Sequence, residues 1–212
     1  MTPATTLITA CLLGLAIVPP SFAAPPPVPA TVTTPASAIE VVDFWREAGP
    51  ALWFAKDSGF DRRFRERFSQ SYTRAARGEL DDWSGTATGS LALLILLDQY
   101  PRNAFRGTPA MYATDALARH AAGRAVEAGQ LDAIEPALRT FVILPFAHSE
   151  TLQDQELSVR LATRLGEDDR RHAEHHRDIV RRFGRFPHRN AILGRPSSQA
   201  EVRYLAEGGY QG

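Results

Sequence analysis

The chain has 212 residues, 44% of them hydrophobic and 9% aromatic, enough for one ordinary globular core and not comfortably for two. Its 24 basic side chains are matched by 24 acidic ones, and this balance excludes the basic excess that a nucleic-acid-binding domain normally carries. Lysine occurs once, at Lys56, so nearly all positive charge is guanidinium, which pairs with carboxylates and phosphates in a fixed, forked geometry.

No charged side chain precedes Glu40. Residues 7–18 are apolar, Pro19-Pro20 ends the run, and Ser21-Phe22-Ala23 places small residues where a signal peptidase reads. The run is shorter than the about 20 apolar residues that span a bilayer. Residues 1–23 therefore read as a cleaved export signal and the mature protein as periplasmic, with no stable membrane insertion; an uncleaved anchor is the alternative. The segment departs from the usual pattern in carrying no Lys or Arg at its start. Cys11 precedes most of the apolar run instead of following it, which argues against lipidation, and cleavage after Ala23 leaves a mature chain without cysteine. Residues 24–36, with Pro25-Pro26-Pro27, Pro29 and Pro35, favour extended polyproline geometry and read as a linker. A single domain is expected over 37–207, followed by a flexible tail over 208–212.

From Ser37 onward the punctuation is helical. Ser37 and Glu40 have the spacing of a capping box. Phe60, Phe64, Phe68 and Tyr72 recur every four residues on one helix face, which Gly78 ends. Residues 91–97 are apolar on every side and predict a central buried helix stopped by Pro101. Thr108-Pro109 predicts a capped helix running towards Gly129. Glu135-Pro136 opens another, with Leu138, Phe141, Val142 and Leu144 before Pro145 kinks or ends it. Thr151 with Asp154 starts the next, closed by Gly166. Residues 168–183 form a helix bounded by Gly184, and Ser198 with Glu201 caps a last short one. No run alternates with period two. The expected fold is all-α, about eight helices in antiparallel pairs. Leu93, Leu94, Leu97, Phe141 and Phe183 are expected in one core, as are Trp45, Trp53, Phe54 and Trp83.

Polar groups gather at three places in this scheme. Asp98, Arg102 and Asn103 stand at the exit of the buried helix. His148, Ser149 and Glu150 stand at a helix junction, where Ser149 can cap the following helix and free backbone N–H groups can seat an anion. His176, flanked by Arg177 and Asp178, falls on the inward stripe of its helix with Ala173, Val180 and Phe183. The run Phe183-Gly-Arg-Phe-Pro-His-Arg-Asn-Ala-Ile-Leu-Gly-Arg195 then packs Arg185, His188, Arg189, Asn190 and Arg195 into one stiffened loop. Each has a plain structural role beside the functional one. A lone histidine on an apolar helix face is usually a satisfied core residue, Asp98 and Arg102 are spaced for an intrahelical ion pair, and Ser149 has no base spaced to activate it. Asp168, His172 and His176 fall four apart, but His172 lies off the inward stripe and no second element supplies a ligand, so no metal or cofactor is expected. Against the plain roles stands the number of polar groups converging from three segments, each of which must find a partner if buried.

Several motifs together resemble a known family. Val41-Val-Asp-Phe-Trp45, Trp53-Phe-Ala-Lys-Asp57, Gly78-Glu-Leu-Asp-Asp-Trp83, Leu97-Asp-Gln-Tyr-Pro-Arg-Asn-Ala-Phe-Arg-Gly107, Ala113-Thr-Asp115, Leu144-Pro-Phe-Ala-His-Ser-Glu150, His176-Arg-Asp178 and residues 183–195 are similar to the bacterial domain-of-unknown-function 924 family, in order from Val41 to Leu205. The resemblance implies a tetratricopeptide-repeat-like helical fold and no established activity. The leader and linker depart from the usual member, which looks like a cytoplasmic protein, and Arg46 stands where another aromatic is expected. Two functions stay open. One is a binding module holding a small anionic or carboxylate-bearing ligand or peptide in a groove of Asp98, Arg102, Asn103, His148, Glu150, His176, Asp178, Arg185, His188, Arg189 and Asn190. The other is a hydrolase-like enzyme with His148 or His188 as base, Glu150 or Asp98 orienting it, and Arg185 with Arg189 stabilising negative charge. Convergence of His148, His176 and His188 on one open cavity would favour the enzyme. Oligomeric state has no signature here.

Overall fold

The computed structural model describes Met1 and residues 36–212, so the expected leader and nearly all of the linker lie outside the described residues. The described fold is all-α: α1 (Ala38–Ala48), α2 (Pro50–Trp53), α3 (Ser58–Ala76), α4 (Ala87–Leu94), α5 (Tyr100–Ala104), α6 (Asp115–Glu127), α7 (Thr140–Ala147), α8 (Leu152–Ala162), α9 (Glu167–Phe183) and α10 (Gln199–Ala206). A π turn over Ile95–Gln99 joins α4 to α5 in one rod. With that rod counted once and the four-residue α2 set aside, eight helices remain among the described residues.

Local chemistry sets the helix starts. Ser37 accepts the Glu40 N–H at 3.3 Å while the Glu40 carboxylate accepts the Ser37 N–H at 2.7 Å, and Ser198 and Glu201 repeat the arrangement at α10. The core then forms around the rod, whose residues 91–97 are all buried against α1, α6 and α7. Trp45 of α1 packs its ring 5.9 Å from Phe60 and 5.3 Å from Phe64 of α3, and 5.3 Å from Phe141 of α7. Such pairs contribute about 0.5–1.5 kcal/mol each beyond their burial. Trp53 donates its indole N–H to the Trp45 carbonyl at 2.6 Å, tying α2 back to α1.

Four expectations need correction. Pro101 does not stop the central helix. The π turn precedes it and the Thr114 hydroxyl donates to the Leu97 carbonyl, the oxygen that a residue-101 N–H would have taken. Thr108-Pro109 opens only a short 3₁₀ turn, Pro109–Tyr112, and the helix proper begins at Asp115. Phe183 leaves the main core for a second cluster with Ile179, Val180 and Phe186, built between α9, the loop after it and Tyr204. Phe54 is 64% exposed instead of buried.

Candidate functional site

Pro101 and the π turn together shape the site. Besides Leu97, the carbonyls of Asp98 and Gln99 take side-chain donors, Arg102 Nη1 at 2.8 Å and Asn103 Nδ2 at 2.8 Å. Asp98 lies within this turn and is fully buried. Its Oδ1 sits 2.8 Å from Nδ1 of His148, the residue that caps the C-terminus of α7. Arg102 Nη1 approaches the same oxygen at 3.2 Å, and the Gln99 amide donates to Oδ2 at 2.6 Å. Burial alone would raise the Asp98 carboxyl, but Arg102 and His148 outweigh it and hold its pKa at about 2. Asp98 is therefore ionised at neutral pH, and the shared proton rests on His148 Nδ1. Burial and the Arg102 charge push the His148 pKa below its ordinary value, so the ring is neutral. Its Nε2 then carries a lone pair, has no hydrogen-bond partner among the described residues, and belongs to a side chain that lines a cavity.

Two guanidinium groups stand beside this pair. Arg102 and Arg189 share the Asp115 carboxylate, at 2.9 and 3.3 Å, and both lie over the Tyr112 ring, at 5.9 and 4.5 Å. Phe186 covers Arg189 from another side at 4.8 Å. Each arginine keeps one buried donor without a protein partner, Nη2 of Arg102 and Nε of Arg189. A buried unsatisfied donor costs about 1–3 kcal/mol, which an anion oxygen brought to that place would offset.

The cavity holds about 660 Å³, within the range of small-molecule sites. His148, His176 and His188 all line it, so the three histidines do converge. His176 is buried, gives its Nδ1–H to the His172 carbonyl at 3.0 Å and packs 4.7 Å from Tyr210. Burial drives the His176 pKa down to about 3 and the His188 pKa down to about 4, so neither carries charge at neutral pH. Tyr210 also packs 5.0 Å from His188 and is held by its N–H to the Tyr204 hydroxyl at 3.0 Å. Tyr210 and Gly212, within the segment expected as a flexible tail, thus line one wall.

Of the sequence-predicted site residues, Arg102, Asn103, His148, His176, His188 and Arg189 line the cavity, with Asp98 directly behind His148. Glu150 and Asn190 stand one layer back. The Glu150 carboxylate accepts the Phe186 N–H at 2.8 Å and both ends of Arg195, at 2.6 and 2.9 Å, which seats the loop under the site. Asn190 Oδ1 accepts Arg195 Nε at 3.0 Å and its amide meets Ser197. Arg185 is drawn away by Glu201, at 2.7 and 2.9 Å, and Asp178 faces solvent paired with Arg177 and Arg181. Neither joins the site. The junction at residue 150 is no open anion seat: Thr151 accepts the Asp154 N–H as cap of α8, while Ser149 donates to Asp154 and braces it. His172, placed off the inward stripe by spacing alone, lines the cavity rim. Among the described residues no three His, Cys, Asp or Glu side chains converge with metal-binding geometry. No sequence pattern singles out Asp115, Tyr112 or Tyr210 as site residues; only the position of Asp115 inside Ala113-Thr-Asp115 hints at a role.

A family model described as bacterial protein of unknown function (DUF924) matches residues 41–209. The chain belongs to this family. No curated protein matches it. A solved structure of protein of unknown function ATU0120 from Agrobacterium tumefaciens is similar at 52% identity with a TM-score of 0.79, covering 81% of this chain and 97% of that one. The DUF924 match spans every residue of the pair and of the arginine cluster, and its description carries no activity, so the chemistry rests on geometry alone.

Proposed function

We propose that this DUF924 protein is a hydrolase whose general base is His148, acting on a small anionic ester. The carrying observation is the Asp98–His148 pair at the cavity wall, with Nδ1 bonded to an ionised carboxylate and Nε2 unbonded. In this reading Nε2 takes a proton from water, the resulting hydroxide attacks the carbon or phosphorus of the ester, and the imidazolium returns the proton to the departing oxygen. Arg102 and Arg189, with one spare donor each, hold the anionic group and the charge that builds on it. Arg102 thereby takes the part that the sequence assigned to Arg185. A ligand-holding module without turnover is the second reading, favoured by the same spare donors. A screen of carboxylic and phosphoric esters with wild type and His148→Ala separates the two. Turnover lost in the variant supports the enzyme; binding without turnover in both supports the module.

Export to the periplasm belongs to the same proposal and rests on residues 1–23. An intact mass beginning near Ala24 in the envelope fraction supports it, and a full-length cytosolic species carrying Cys11 removes it. Among the described residues no helix is long and apolar enough to cross a membrane.

A further inference from the structure

One wall of the cavity, residues 208–212, is attached differently from the helices around it. After α10 the chain turns at Gly208, whose φ of 86° lies in the left-handed region that favours glycine. The Gly208 N–H reaches the Leu205 carbonyl at 3.4 Å and the Gly209 N–H the Tyr204 carbonyl at 2.9 Å, the paired bonds of a Schellman turn. Gly209 lies so close to Tyr204 that a Cβ would stand 2.5 Å from its carbonyl oxygen, so the turn needs both glycines. The Tyr210 N–H donates to the Tyr204 hydroxyl at 3.0 Å, and the Gln211 amide to the carbonyls of Leu205 and Gly209 at 3.0 and 2.8 Å. Among the described residues, every hydrogen bond of the segment thus ends on α10 or on the segment itself.

Contact with the rest of the cavity is by packing alone. The Tyr210 ring stands edge-on to His176 at 4.7 Å and to His188 at 5.0 Å, with His175 at 5.9 Å. The Gly212 backbone rests on His188, where a Cβ would meet the imidazole Cδ2 at 2.9 Å. Burial raises the pKa of the Tyr210 phenol above its ordinary value and Arg189 and Arg102 work against that rise, as expected of a ring at the arginine end. The donors at that end are enclosed. Arg102 Nη2, Arg189 Nε and His188 Nδ1 are all buried without a partner, so a ligand atom reaches them only when part of the enclosure moves. The segment over 208–212 is the wall with the fewest ties: a two-glycine turn at one end, a single ring at the other, and no hydrogen bond to α9 or to the loop over 184–195. Local openings are drawn from such weakly tied segments.

We propose that residues 208–212 are a strap over the arginine end of the cavity, hinged at Gly208 and Gly209 and latched by Tyr210, which swings clear to admit the ligand. α10 stays in place as the strap leaves, because its capping box and the Glu201 bonds to Arg185, at 2.7 and 2.9 Å, hold it independently. Opening of the strap regulates entry to the site proposed above and assumes nothing about turnover there.

Hydrogen exchange and imidazole acylation of the purified protein test it without any substrate, so a failure here is read separately from a failure of the hydrolytic reading. The amides of Gly209 and Tyr210 should exchange about a hundredfold or more faster than those of Ile179 and Val180 in α9, since a local opening costs far less than unfolding of a packed helix. Diethyl pyrocarbonate, which acylates neutral imidazole, should reach the buried His176 of the wild type faster than the α9 amides exchange. In Tyr210→Ala the acylation of His176 and His188 should quicken by about tenfold or more, while the exposed His120 of α6 reacts as before. Tyr210→Phe, which keeps the ring, should match the wild type. Gly208→Ala, strained at a φ of 86°, should speed strap exchange and His176 acylation in parallel, and it covers the case in which Tyr210→Ala misfolds. Strap amides as protected as those of α9, wild-type His176 acylated no faster than α9 exchanges, or unchanged His176 and His188 acylation in a folded Tyr210→Ala overturns the inference.

Discussion

Arg189 donates Nη2 to the main-chain carbonyl of His148 at 2.9 Å, so a residue of the last loop fixes the end of a helix 41 positions earlier in the chain. The same guanidinium reaches Asp115 and is enclosed by Tyr112 and Phe186. Arg189 is thus both a support of the His148 backbone and a donor at the site. Arg189→Ala should lower stability by about 1–3 kcal/mol, the cost of leaving a buried acceptor unpaired, while far-ultraviolet circular dichroism stays unchanged. It should also weaken binding of an anionic ligand at the site by about 1.5–3 kcal/mol, the range for a hydrogen bond to a charged group. Unchanged binding at unchanged melting temperature would show that neither contact matters.

The buried histidines set an acid limit on stability. His176 and His188 titrate at about 3 and about 4 in the folded chain, below the unfolded value of about 6.5. Between these limits the unfolded chain binds protons that the native state refuses, so stability rises with pH there and is lost as pH falls from about 6.5. Melting temperature should therefore drop on acidification from neutrality towards pH 4. His176→Phe, which removes the titration while keeping a flat ring beside Tyr210 and Phe186, should flatten that slope. An identical slope in the variant would exclude His176 as its source.

Leu94 lies fully buried at the centre of the rod. Leu94→Ala should cost about 2–5 kcal/mol in urea unfolding, as other large-to-small core changes do. A loss below about 0.5 kcal/mol, the surface range, would contradict its position in the core.

The Glu150–Arg195 clip is more local. Glu150→Gln removes the charge that draws Arg195 and keeps a side chain able to accept one bond from Phe186 N–H. Limited trypsin cleavage after Arg185 should quicken, with no change in α1 to α6. Equal cleavage rates would show that the loop is held by its other contacts.

The legible parts of the fold were those that local chemistry decides. Ser37 with Glu40, Thr151 with Asp154, and Ser198 with Glu201 were readable because an N-cap and its partner are three residues apart. Phe60, Phe64 and Phe68 were readable because four-residue spacing puts them on one face. Pro101 does not end the helix as its local pattern predicts, because its missing hydrogen bond is replaced by Thr114, a tertiary partner that no local pattern announces. At the site, the individual groups were visible and their pairing was not. Asp98 and His148 are 50 positions apart, and each has a sufficient local reading, as an ion-pair partner of Arg102 and as a helix cap. Arg185, equal to Arg189 in composition and spacing, was diverted by Glu201, whose own visible role was to cap α10.

The central claim is that the Asp98–His148 pair performs acid–base chemistry, and the pH dependence of kcat/KM on an anionic ester turned over in the screen, in wild type, His148→Gln and Asp98→Asn, tests it most directly. With His148 neutral above a pKa lowered from its ordinary value, wild-type kcat/KM should be flat through neutrality and fall on an acid limb below pH about 6.5. His148→Gln should lose about a hundredfold or more with no acid limb remaining, and Asp98→Asn should also fall sharply, because an amide no longer fixes the Nδ1–H tautomer. Turnover that survives in His148→Gln with the same acid limb would contradict the account.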